Sequence, residues 1–400
     1  MILYYKFRIL ILILLLSCSI QENTDIPPQF KKLNNLSIYP ADIKPKATIQ
    51  LVQEESYGST DSTIVTVGGS DGSILVVNES EIIFIADRVL NSIHAIQTDG
   101  QYLTKLGRKG RGPGEFVSLG LMKFQSNNLY IYDSQQLKIH VFSFCSMDYS
   151  YTIDLDPNEW SHIEKLKFKS PTNFFVNNDS TLLIKFSPHI QAIENMPQKN
   201  YTHSYFYINK QGELISKEIL NQRGTKVAFT DFQSTKFSVS LSYHGEPLSA
   251  LSSNGYIFSA WSEDFLVEVY DASGEYIRSF YHFFERKQLI RDELIEKYDI
   301  GIDNPTLKYI TNADLPDKWP ALKSMFVDHR NRLWVSTIVD NIEVYQWWVL
   351  EPTGEVITKF EWPRDKSIQF IQNNSLYTIE KGADGANIVV KYKIVLKKGE

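Results

Sequence analysis

Cysteine is almost missing from this sequence: Cys18 and Cys145 are the two in 400 residues. Once Cys18 is accounted for below, no intramolecular disulfide remains available, although an oxidising compartment would permit one. Nothing beside Cys145 in sequence lowers its thiol pKa, so it reads as a strand or turn residue rather than a nucleophile. The local signatures of familiar chemistry are missing too. There is no Gly-x-Ser-x-Gly elbow for a serine hydrolase. The 8 histidines include no His-x-His or His-Glu-x-x-His pair for a metal. Positive charge is in deficit, with 41 Lys and Arg against 47 Asp and Glu, which argues against a nucleic-acid partner. Long helical patterns are scarce, and the one unbroken apolar run, Ile9 to Leu16, is too short to span a bilayer as a helix.

That run belongs to a targeting segment. Lys6 and Arg8 precede it, and it ends in Leu15-Leu16-Ser17-Cys18, which resembles the bacterial lipobox. The resemblance implies cleavage after Ser17 and lipidation of Cys18; the plainer alternative is a secretory signal with a chance cysteine. Three acyl chains would exceed what stable anchoring requires. The expected organisation is a signal peptide over 1–17, a lipidated cysteine and extended tether over 18–46, and a folded domain over 47–400. Pro27, Pro28, Pro40 and Pro45 keep the tether extended. Loss of Lys6 and Arg8 leaves 39 basic and 47 acidic residues, a formal charge of −8. The expected address is the cell envelope, with the outer membrane as anchor and either a periplasmic or a surface-exposed position.

What is abundant is aromatic: 22 Tyr, 23 Phe and 7 Trp, a bias toward strands. A repeat supports it. Ile82-Ile83-Phe84-Ile85-Ala86-Asp87 aligns with Leu129-Tyr130-Ile131-Tyr132-Asp133, and Ile93-His94-Ala95-Ile96 with Ile139-His140-Val141-Phe142. Each pair is followed by a turn and an outer strand. Looser copies start near Leu182, Tyr256, Leu333 and Leu376. In the third, the outer strand is expected at Leu214 to Leu220. The sixth lacks an outer strand, and Ser62 to Val67 and Ile74 to Val77 precede the first unit without partners. A ring leaves raw edges unless one blade mixes strands from both termini. The fold class expected is therefore all-β: a six-bladed β-propeller closed by N-terminal strands. Insertions fall at about 221–250 and 282–325. The second should be helical from Phe284 to Asp299, with Ile290, Leu294 and Tyr298 on one face and Glu293 facing Lys297, before Pro305, Pro316 and Pro320 end it.

These paired strands, their terminal aspartates and the segment Gly107 to Phe116, GRKGRGPGEF, resemble the six-bladed β-propeller lipoproteins of Bacteroidetes, relatives of NHL-repeat and TolB-like propellers. The similarity covers roughly residues 60–396. The third unit departs from it most.

The glycine-rich segment is the candidate ligand-binding site, through Arg108, Lys109, Arg111 and Glu115. Its cations and backbone N–H groups suit a carboxylate or phosphate. Pro113 stands where a P-loop needs lysine. The alternative, which is favoured, is a blade-to-blade crossover whose glycines supply positive φ while Glu115 pairs with a nearby cation. Asp87 and Asp133 recur at matching positions, which indicates a turn role, and recurring His94 and His140 indicate blade packing. Trp334, Trp347, Trp348 and Trp362 crowd the fifth unit, as core between blades or as a sugar-stacking surface. No catalytic residue, metal ligand or cofactor is assigned. The expected function is a non-catalytic binding module, anchored to a membrane, engaging a protein, glycan or small ligand on one face of the ring. The alternative is a metal-dependent, lactonase-like or glycan-cleaving hydrolase working in the channel.

Overall fold

A computed structural model describes residues 26–58, 75–78, 80–177, 179–197, 200–232, 235–298 and 305–398. Six sheets, each with four antiparallel strands and one with a fifth, parallel strand, form the blades of a β-propeller. Blade one is Leu75–Val77, Ile82–Asp87, Ser92–Gln97 and Tyr102–Leu106, from innermost to outermost. In Ile82–Asp87, Ile83 to Asp87 are all buried, because each blade packs both faces on a neighbour. That explains why the second strands read as unbroken apolar runs instead of alternating ones. Five of the hydrophobic clusters stack between successive blades around the ring.

Antiparallel pairing fixes which loops share a face. Links from an outer strand to the next inner strand, and turns joining second and third strands, emerge together at one end of the ring. We call this end the crossover face.

Leu75–Val77, one of the two N-terminal segments left without partners, takes the inner position in blade one. The outer strand of blade six departs from expectation. Ser62 to Val67 lies outside the described residues, and Ala47–Tyr57 fills the role, pairing with Asn387–Lys398 from Ala47↔Lys398 to Tyr57↔Val389. Alternating Ile49 and Leu51, which pack into the blade-six core, were the available signal. The tether is also shorter than expected. Leu36–Tyr39 lies parallel to Tyr276–His282 as a fifth strand on blade four, and Tyr39 stacks on His282 with ring centroids 4.7 Å apart. The chain then crosses the rim of blade five, where Tyr39 Oη donates to Thr353 O and Lys46 pairs with Glu355. The strand forms there because blade four offers an unpaired edge, and Pro40 stops it.

Blade three needs a further correction. Its outer strand is Leu220–Arg223, and Leu214 makes only an isolated bridge to Ile208.

Both insertions emerge on the crossover face and join. Between blades three and four stands a hairpin, Val227–Phe232 with Thr235–Ser240. Between blades four and five come helices Arg291–Tyr298 and Pro305–Asn312. The first helix is shorter than expected, and Glu293 pairs with Lys287 at 2.8 Å; the Lys297 side chain lies outside the described residues. The second helix was missed because Pro305 was read as a stop, whereas proline is tolerated at the first helical position. Val239 and Leu241 from the hairpin segment bury against Leu294 and Ile310 from the helices, and Arg291 donates to the carbonyls of Thr311 and Ala313 at 3.2 and 2.7 Å. Hairpin and helices thus form one cap over blades three to five.

Candidate functional site

The glycine-rich segment is mostly bound up in itself and in blade two. Arg108–Lys109 pairs in parallel with Glu115–Phe116. Glu115 accepts from Arg108 Nε at 2.7 Å and from the Gly112 N–H at 2.9 Å. Those two groups, Gly112 first, hold its carboxyl below the usual range. Phe116 is fully buried, and Gly107, at φ 69°, lies so close that a Cβ there would sit 2.2 Å from the Phe116 ring. Any side chain at Gly107 would have to displace that ring. Asp133 completes the anchorage: its carboxylate accepts from Val117 N at 2.6 Å, Ser118 N at 3.2 Å and Gln136 Nε2 at 2.9 Å. Of the four predicted site residues, Arg108 and Glu115 therefore hold the loop together. Lys109 and Arg111 remain exposed to solvent.

The repeated pairs are equally inward. Asp87 Oδ1 accepts from Val89 N and Leu90 N at 2.9 and 2.8 Å, a turn role. His94 lies 3.6 Å from Asp87 Oδ2, and His140 donates to or accepts from Thr152 at 3.1 Å. Both imidazoles are held neutral by burial. Trp334, Trp347 and Trp348 are buried, and the Trp362 ring meets Tyr392 edge-on, so all four serve packing. Cys145 is an exposed turn residue. Cys18 lies outside the described residues.

A different region, the contact between blades three and four, carries the unexplained polar groups. Away from the crossover face this contact is apolar, with Leu183, Tyr207, Leu220 and Ile257. Toward the crossover face it turns polar. Tyr205 donates to Gln222 Oε1 at 2.6 Å and lies 3.0 Å from Ser249 Oγ. Gln222 Nε2 donates to Ser259 Oγ at 2.8 Å and to Leu248 O at 3.0 Å. Glu268, the strand partner of Ser259, is pushed up by burial, with Tyr270 Oη opposing. Nearer the cap come Lys185, His203 and Glu246, while Lys169 lies on the opposite face of blade three, toward blade two, bonded to Ser204 and Thr202. Burial lowers Lys185 to about 8, against the pull of Glu246. Burial and the positive charges of Lys185 and Lys169 push His203 down to about 3, and its Nδ1 sits 2.8 Å from Ser187 Oγ. Glu246 pairs with Lys323 at 2.8 Å.

Glu246 and Lys323 sit at the crossover ends of the inner strands Pro247–Leu251 and Leu322–Val327. Glu246 and Lys323 thus lie at the mouth of the central channel, at the foot of the cap, where propellers offer a concave surface, while His203 and Gln222 stand on the third and outermost strands of blade three. No three of His, Cys, Asp and Glu are placed to hold a metal ion among the described residues. No helix among them is long and apolar enough to cross a membrane. A separate depression of about 560 Å³ lies on the outer rim between blades two and three, lined by Asp154, Asp156, Glu159 and Glu213 among others.

The polar contact was missed because its members are scattered from Lys185 to Lys323. The signal present was indirect: blade three, which supplies most of it, strays furthest from the repeat.

Fold and site together define a six-bladed β-propeller with a capped channel mouth. Residues 69–249, somewhat under half of the chain, match the family model DUF5128, described as a 6-bladed beta-propeller. A member of the DUF4221 family from Bacteroides vulgatus ATCC 8482 is 12% identical, with a TM-score of 0.56, covering 88% of this chain and 100% of its own. A protein of Bacteroides fragilis NCTC 9343 whose description reads exported protein is also 12% identical, with a TM-score of 0.50, covering 91% and 99%. At such identity the likeness establishes the fold alone. No curated protein matches the sequence.

Proposed function

We propose that this chain is an exported, lipid-anchored binding propeller that engages its ligand at the capped mouth beside blades three to five. The carrying observation is the polar contact between blades three and four. Its half-buried ionisable groups contribute less to packing than the apolar side chains that join the neighbouring blades. Their position beneath two joined insertions supports a recognition role, since function concentrates on loops held by a rigid scaffold. The lipobox at Cys18 supports anchoring, and the exported relative of the same fold supports the address.

The test uses the full-length chain in its envelope, with a photo-crosslinking residue placed at exposed Ile290 on the cap or at exposed Ile215 on the opposite rim. Adducts read by mass spectrometry are expected from Ile290 and not from Ile215. Equal labelling, or none at either, would sink the reading.

The competing reading, a hydrolase in the channel, draws on Asp264 and Glu268, two carboxyls pushed up mainly by burial and so suited to acid–base work. Stoichiometric divalent metal in the purified full-length chain would favour a metal-dependent form of it.

A further inference from the structure

We infer that the crossover face lies against a lipid bilayer, with apolar side chains of its turns set into the headgroup layer. This rests on the anchored binding role proposed above and gives its partner class, a molecule presented at the membrane surface.

The two ends of the ring carry different surfaces. On the crossover face, the turns between second and third strands present Val89 and Leu90 on blade one, Ile190 on blade three and Ile342 on blade five, with Ile290 on the cap; all five are exposed. Of the large hydrophobic side chains exposed among the described residues, Ile215 is the one in a turn at the other end. Phe168, in the link that enters blade three, is 60% exposed and holds φ 63°. Left-handed positions at the other end are filled by asparagine, as at Asn127, Asn331 and Asn374, which tolerates both that backbone and water. A phenyl ring in such a place combines backbone strain with exposed apolar surface, and the second cost disappears when the ring leaves water. These side chains are spread round the ring rather than gathered in one groove, which suits a flat, extended partner.

The first described residues point the same way. Asn35 Nδ2 donates to Ile277 O at 3.0 Å, near the beginning of Tyr276–His282. Phe30 lies back against Tyr281, with ring centroids 5.6 Å apart. Tyr281 is the strand partner of Leu266 and feels the charge of Asp264, and both belong to the crossover end of blade four. Followed toward Cys18, the chain therefore approaches the crossover face. Seven residues separate Cys18 from Ile26, so an acylated Cys18 stays within about 29 Å of that point even at full extension. Charge on the face is mixed, with exposed Lys109, Arg111 and Lys167 against Glu159, Glu164 and Asp292. The contact thus depends on apolar insertion and should respond weakly to salt.

The experiment places the full-length acylated chain on vesicles of phosphatidylethanolamine and phosphatidylglycerol, with an environment-sensitive fluorophore on one cysteine. The label sits on native Cys145, exposed in a turn at the other end, or, in a Cys145→Ser background, on Leu90→Cys, Ile190→Cys or Ile342→Cys. Lipid-borne quenchers at headgroup depth should quench the three crossover labels and leave the Cys145 label as bright as in detergent. Equal quenching at both ends, or none at the crossover positions, overturns the inference. A second measurement removes the anchor: the full-length Cys18→Ala chain is sedimented with the same vesicles. Its affinity should fall about tenfold in Leu90→Asp combined with Phe168→Asn, and stay unchanged in Ile215→Asp. Absence of binding, or binding unaffected by the paired substitution, overturns the inference whatever Cys18 carries. Ile290 adducts confined to protein, with the crossover labels unquenched, would leave the binding role standing without a membrane-borne partner.

Discussion

The blade one–two contact and the blade three–four contact occupy equivalent places in the ring and are built by opposite logic. In the first, the ionisable groups are mostly matched within the chain. Asp133 is saturated by backbone and amide donors, Glu115 by Arg108 and Gly112, and Phe116 plugs the gap at Gly107. In the second, Lys185 has no bonded carboxylate among the described residues, and His203 is held neutral by burial and nearby positive charge. Matched groups stabilise the ring, whereas unmatched ones weaken it and remain available to something else. The sector that follows the repeat is therefore bound up in the scaffold, and the sector that breaks it is where the proposed binding role falls.

The largest effect that would test this contrast is at Phe116. Truncating this fully buried ring in Phe116→Ala should cost about 3–5 kcal/mol, read as a lower urea midpoint. A loss below about 1 kcal/mol would mean the glycine-rich segment is not a structural staple.

An intermediate effect separates the two contacts by pH. Lys185 has a folded pKa of about 8, below its ordinary value of 10.5, so above pH 8 the unfolded chain holds a proton that the folded chain has released. Stability contributed through this group should rise as pH climbs from about 8 toward 10.5. Urea midpoints measured across that range should show the rise in wild type and a smaller one in Lys185→Met. An identical rise in both would remove Lys185 as its source.

The smallest effect is expected at the tip of the glycine-rich segment. Lys109→Glu combined with Arg111→Glu should shift stability by less than about 0.5 kcal/mol, since both side chains are exposed. A larger loss would show that these cations are tied into the fold after all.

Much of the ring was legible in the sequence. Strands buried on both faces give apolar runs, and Asp87 and Asp133 mark their ends, so blades one, two, four and five could be aligned directly. Blade six was found by what it lacked. The errors share a cause: Ala47–Tyr57 and Leu36–Tyr39 are strands only because distant edges, on blades six and four, need partners. A local pattern carries little of that information. The site was illegible for a related reason. Lys185 is an ordinary strand lysine until the ring buries it and places Glu246 beside Lys323.

The closure of blade six has a consequence for how the molecule comes into being. Ala47 pairs with Lys398, so the earlier strand must wait for a segment far later in the chain before its backbone is satisfied. Assembly of the circle is then a late, long-range event, slow in the manner of folds dominated by distant pairings. Loss of Asn387–Lys398 would leave Ala47–Tyr57 and Ser375–Lys381 without the strand that joins them.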